Sequence, residues 1–172
     1  MTKTIIQFVI LAIVLILVQA VCIKIILFNV AVPFVFIYLI LRLPMNWHTN
    51  IILTVAFLTG LMVDVFGNTP GMNALSCTVV AGVRHTVFNI FVPRENEMAD
   101  PIPSIQTMGL GVYAKYMITL VFIYCTLIFF IQAFTLRDVL LTFERILAST
   151  LLTALILLGV DSLVSTKREK GL

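Results

Sequence analysis

Residues 60–85 read GLMVDVFGNTPGMNALSCTVVAGVRH, a polar interruption in an otherwise oily chain. Two apolar runs meet there across only five residues, Gly67-Asn68-Thr69-Pro70-Gly71. Pro-Gly suits the centre of a type II turn, because proline sets one φ near −60° and glycine supplies the positive φ that follows. So short a connection makes the flanking helices antiparallel neighbours. The stretch therefore predicts a helical hairpin, with Asp64 one turn before its tip and Arg84 deep in its second arm.

Working outward, the same oiliness covers most of the 172 residues. Hydrophobic residues make up 61% and charged ones 11%, against about 45–50% and about 25% in soluble domains. The mean hydropathy is +1.15. Too little polar surface exists to coat a water-soluble globule, so the chain reads as an all-α integral membrane protein in one domain. At about 20 residues per crossing, six spans fit, with no room for a separate soluble domain. The expected compact bundle of six transmembrane helices covers 5–23, 25–41, 49–66, 72–92, 112–134 and 143–164.

The first run follows Lys3 and is longer than the usual signal-peptide core; although Val18-Gln19-Ala20 faintly resembles a cleavage site, a retained helix is expected. The second run contains Pro33 near its start, where proline is tolerated, and stops at Arg42-Leu43-Pro44. Trp47 suits an interfacial anchor. Residues 93–109 (PRENEMADPIPSIQTMG) are the longest polar connection and read as an exposed loop. No internal repeat is visible, so inverted transporter halves find no support.

Six helices leave both termini on one side. That side carries Lys3, Arg42, Arg94, Lys167, Arg168 and Lys170, and the other Lys24, Arg137 and Arg145. The positive-inside rule then sets both termini in the cytoplasm and the 67–71 turn outside. The net charge of +3 reports this orientation rather than a nucleic-acid partner. Cys22, Cys77 and Cys125 lie in or beside apolar runs without a C-x-x-C pair and read as small buried hydrophobes, not as metal ligands or a disulfide.

Asp64 has two open readings. It is either an interface carboxylate helping to close the hairpin, or a polar contact for another helix or a ligand; a carboxylate at a helix C-terminus opposes that helix's own dipole. Arg84 lies twelve residues beyond Met72, ~18 Å down its helix, where a lone charge costs at least ~2.5 kcal/mol. Asp64 sits near the opposite rim and is a poor partner for it. Asp161 lies at a reachable depth, and Lys115 competes for it, so an inner-leaflet cluster of Arg84, Lys115 and Asp161 is expected to fix helix packing. His85 is expected to be structural or interfacial. The phenylalanines and Tyr38 read as packing or lipid-facing residues, and Ala56 with Gly60 as a small-xxx-small contact. No Walker lysine, nucleophile elbow, metal spacing or paired carboxylates appear, so neither an enzyme nor a cofactor site is expected.

The chain resembles the rod-shape-determining MreD family of bacteria. The likeness rests on PFVFIYLILRLP, on Gly60-x-x-x-Asp64, and on Pro70-Gly71-x-x-Ala74-Leu75 before an alanine-bearing helix, and it extends over nearly the whole length. It implies a non-enzymatic inner-membrane scaffold subunit of the cell-elongation complex. Such a subunit binds membrane-anchored MreC and links MreB filaments to peptidoglycan synthases of the RodA and class B penicillin-binding type. It also implies a fold similar to the S-components of energy-coupling-factor vitamin transporters, and a substrate-binding S-component is the alternative function. Asp64, Gly67, Pro70 and Gly71 are the expected shapers of a partner-receiving surface, with Asp64 exposed at its rim. Whether the chain self-associates stays open.

Overall fold

The computed structural model describes residues 2–22, 31–92, 102–132 and 139–169. Its elements are α1 (Thr2–Cys22), α2 (Ile37–Arg42), α3 (Thr49–Gly67), α4 (Met72–Phe91), α5 (Ile105–Met108), α6 (Leu110–Gln132) and α7 (Val139–Glu169). Among the described residues, four helices are long and apolar enough to cross a bilayer: Thr49–Gly67, Met72–Phe91, Leu110–Gln132 and Leu140–Ser162. The chain is a multi-pass helical membrane protein. Packing runs in sequence from α1 to α3, α3 to α4, α4 to α6 and α6 to α7, with α2 against α1 and α4.

The hairpin forms as the sequence predicts. Gly71 takes φ 79° and ψ −7°, and the Met72 amide donates to the Thr69 carbonyl at 3.3 Å, which closes a type II turn. Asn68 adds what the sequence did not announce, a left-handed residue at φ 53° that ends α3. Asparagine tolerates that conformation better than most residues. A Cβ on Gly60 would fall 2.6 Å from the Ala74 Cα. Only glycine lets α3 and α4 approach so closely, and Ala56 is buried on the same face.

The expected second helix over 25–41 is corrected in its described part. Residues 31–36 are not helical, and the helix is confined to Ile37–Arg42. Pro33 has no N–H to offer a helix, and the amides around it bond instead to side chains of neighbouring helices. Val32 N–H donates to Ser149 Oγ and Phe34 N–H to Thr153 Oγ1, each at 3.1 Å. The Gln19 amide brackets the same irregular segment, accepting from Val35 N–H at 2.8 Å and donating to the Pro33 carbonyl at 3.0 Å. Irregular backbone at membrane depth is tolerable only when buried and satisfied in this way.

Residues 33–44 are buried without exception, and so form the central pillar of the molecule. Val32, Phe34 and Tyr38 meet Ser149, Thr153 and Asp161 in turn. The pillar thus runs parallel to α7 from Ser149 to Asp161, a rise of ~18 Å. Phe34 and Phe36 set their rings edge-on to Tyr124 at 5.1 and 5.8 Å, an arrangement favoured by the ring quadrupoles. Leu43, held extended ahead of Pro44, ends α2 for the steric reason that residues before proline avoid the helical region.

The expected sixth helix, 143–164, is longer at both ends in α7. The 93–101 part of the polar connection lies outside the described residues; its later part carries α5, opened by Ser104, whose hydroxyl accepts from Thr107 N–H at 3.3 Å.

Candidate functional site

Polar side chains gather in two layers, one near each end of the bundle. The first surrounds Asp64. Its Oδ1 accepts from Thr69 Oγ1 at 2.8 Å, Asn73 Nδ2 at 2.8 Å and Asn73 N–H at 3.0 Å. Its Oδ2 accepts from Ala74 N–H at 2.9 Å. The two amides belong to the first turn of α4, so Asp64 caps from α3 the helix that follows. The dipole it opposes in its own helix is offset by the one it meets in the next. Tyr124 on α6 donates to Asn73 Oδ1, which ties a third helix into the network.

Asp64 is therefore 4% exposed, and the expectation of a rim-exposed carboxylate is corrected. Its donors drew it inward. Of the other three residues assigned to the partner surface, Pro70 and Gly71 are exposed and Gly67 is half-buried. Met62, Val65 and Phe66 at the end of α3 and Leu75 at the start of α4 are exposed apolar residues.

The second layer corrects the expected cluster of Arg84, Lys115 and Asp161. Asp161, wholly buried, pairs with Arg42 on α2, Nε to Oδ1 at 3.7 Å. Its Oδ1 also accepts from Tyr38 Oη at 2.7 Å and its Oδ2 from Ile105 N–H at 3.0 Å. Arg42 Nη1 donates to Tyr38 Oη at 2.9 Å, and its guanidinium lies 5.5 Å from that ring's centroid. Lys115 is exposed and takes no part. Arg84 is 1% exposed and turns to the end of α2 instead of to Asp161. Its Nη2 donates to the Leu43 carbonyl and lies 3.1 Å from Met45 Sδ. A guanidinium on the last carbonyls of a helix satisfies groups that the helix itself leaves open.

Arg42 and Tyr38 are the residues that sequence reasoning missed. Their spacing of four was visible, but Arg42 read as the end of a span reaching water. Gln19, Ser149 and Thr153 were likewise ordinary helix residues until the irregular pillar gave them amides to bond. His85 is exposed, with its Nδ1 3.2 Å from Asn89 Nδ2. Cys77 and Cys125 are free and buried; the side chain of Cys22 lies outside the described residues. No group of three His, Cys, Asp or Glu side chains gathers among the described residues.

Chemically, both buried carboxylates have partners on both oxygens. Asp64 accepts four hydrogen bonds, and Asp161 accepts two beside its ion pair. Each fixes the end of a helix that is not its own. No family model, curated protein or solved structure matches the chain at significant similarity.

Proposed function

We propose that this chain is a scaffold subunit of the bacterial cell-elongation complex, of the MreD type, seated in the inner membrane with both termini in the cytoplasm. Six crossings complete this reading, the second being made by the pillar instead of an unbroken helix. The observation that carries it is the use of the polar residues. Asp64, Asp161 and Arg42 are engaged in holding helices to one another, which suits a framework that presents a surface rather than a group that reacts. The exposed turn at Pro70 and Gly71, with the exposed apolar residues at the adjoining helix ends, is the surface on which an MreC-like single-span partner would dock. Through that partner the subunit would connect MreB filaments to the RodA-type and penicillin-binding synthases.

The S-component reading needs polar groups that converge on an outward pocket. Of the obvious candidates Asp64, Asn68, Thr69 and Asn73, all but the exposed Asn68 bond to each other or to Tyr124, which favours the scaffold.

Affinity purification of the tagged protein from cross-linked native membranes, followed by mass spectrometry, tests the choice. Recovery of an MreC-like protein with cell-wall synthases supports the scaffold. Recovery of an ATPase module with a bound vitamin would replace it with the transporter reading.

A further inference from the structure

Across the middle of α3, α6 and α7 the exposed residues are large and apolar, as Phe57, Ile118 and Leu151 illustrate. The open side of α4 differs. Leu75, Val79, Gly82, Thr86 and Asn89 are all exposed, at alternating steps of four and three. That spacing is the heptad seam along which one helix receives another. The second half of the seam carries small and polar residues where hydrocarbon favours large apolar ones. With α4 20 residues long, Thr86 and Gly82 lie ~8 and ~14 Å before its end.

The chain's own packing accounts for none of the three. Gly60 is required by the backbone it meets, but a Cβ on Gly82 would meet nothing nearer than Leu53 Cδ2 at 3.9 Å. Glycine nonetheless costs a helix about 1 kcal/mol relative to alanine. Thr54, Thr119 and Thr126 donate their hydroxyls to the carbonyl four residues back, and Thr86 makes no such bond among the described residues. Asn89 Nδ2 meets His85 Nδ1 at 3.2 Å, which leaves its Oδ1 and one N–H to be matched. Polar groups on a membrane-spanning helix ordinarily face another helix, and small residues mark where two backbones approach.

We infer that α4 packs along this seam against α4 of a second copy of the chain. Two copies in one bilayer share a topology, so their two-fold axis follows the membrane normal and each seam residue meets its own counterpart. The seam must therefore tolerate itself, and it does. Gly82 opposite Gly82 permits close approach. The Asn89 carboxamide holds both donor and acceptor, so two of them pair across the axis, as asparagine does in coiled-coil seams. No lysine, arginine, aspartate or glutamate lies on the exposed side of α4; its one such residue, Arg84, is buried on the other side. Like charges thus do not oppose the contact. The pairing is independent of the scaffold reading and stands or falls by itself.

Two differently tagged full-length copies are expressed together in the native host, one with Thr86 replaced by the photo-crosslinker p-benzoylphenylalanine. Irradiated membranes should yield an adduct that carries both tags, at twice the chain's 19.2 kDa. The same crosslinker at Ile118, exposed on α6, serves as the lipid-facing control and should give little of it. Gly82→Leu, whose Cβ has room within one copy, and Asn89→Leu should each lower the adduct roughly fivefold or more. An adduct of another mass at residue 86 would assign the seam to a different protein, and no adduct would assign it to lipid. Either result overturns the inference, as would equal yields from residues 86 and 118 or an adduct undiminished in both variants.

Discussion

Asp64 accepts four hydrogen bonds from one short stretch of chain, so removing its carboxylate strands several donors together. Asp64→Ala leaves the Asn73 and Ala74 amides of α4 uncapped in a buried site. Capping losses and buried orphan donors together set the expected destabilisation at about 2–4 kcal/mol, readable as a lowered detergent melting temperature. A melt within error of wild type would show that the cap is dispensable. At the other end, Arg42→Met leaves Asp161 buried and unpaired, at an expected cost of about 3–5 kcal/mol. Adding Asp161→Leu should cost less than the sum of the two single changes, because both act on one network; strict additivity in that double-mutant cycle would mean that Arg42 and Asp161 do not couple. The depth of Arg84 and the polarity at residue 64 could be read from the chain. Their partners could not, because several of them are backbone groups, the Asn73 and Ala74 amides and the Leu43 carbonyl, which carry no sequence signature.

Among the elements, the hairpin and the pillar behave differently. Gly60 stands against the α4 backbone, so Gly60→Ala must push α3 and α4 apart and should lower the melting temperature more than Gly82→Ala, where an added Cβ meets nothing nearer than 3.9 Å. Equal effects would refute the close-packing argument. The pillar depends on two hydroxyls of α7. Thr153→Val keeps the shape but leaves Phe34 N–H without its acceptor, at an expected cost of about 1–3 kcal/mol, and Ser149→Ala should do the same for Val32. Stability unchanged in both would mean that the pillar amides are satisfied elsewhere. Pro-Gly at 70–71 announced the hairpin because turn chemistry is local. Pro33 announced only a weakened helix, since what replaces the missing ladder bonds comes from side chains of other helices, Gln19 on α1 and Ser149 and Thr153 on α7.

For the whole molecule, orientation is the first property to test. His48 and Asn68 are both exposed and bracket α3, whose 19 residues span ~28 Å. In a cysteine-free background, Asn68→Cys should react with an impermeant thiol reagent on intact cells and His48→Cys only after permeabilisation. The reverse pattern would invert the proposed topology. Composition alone determined that this is a helical membrane protein, because a chain this apolar cannot be coated with water-facing surface. Local turn chemistry determined the hairpin, and a charge twelve residues down a helix announced that something must hold it. Only the tertiary structure decided which groups do the holding. Hydrophobic burial sets depth without choosing partners, whereas hydrogen bonds in a low-dielectric interior are directional and must be matched atom by atom. That matching exchanged Arg84 for Arg42 as the partner of Asp161, drew Asp64 from the rim into the cap of α4, and turned an expected helix into the buried pillar on which the bundle closes.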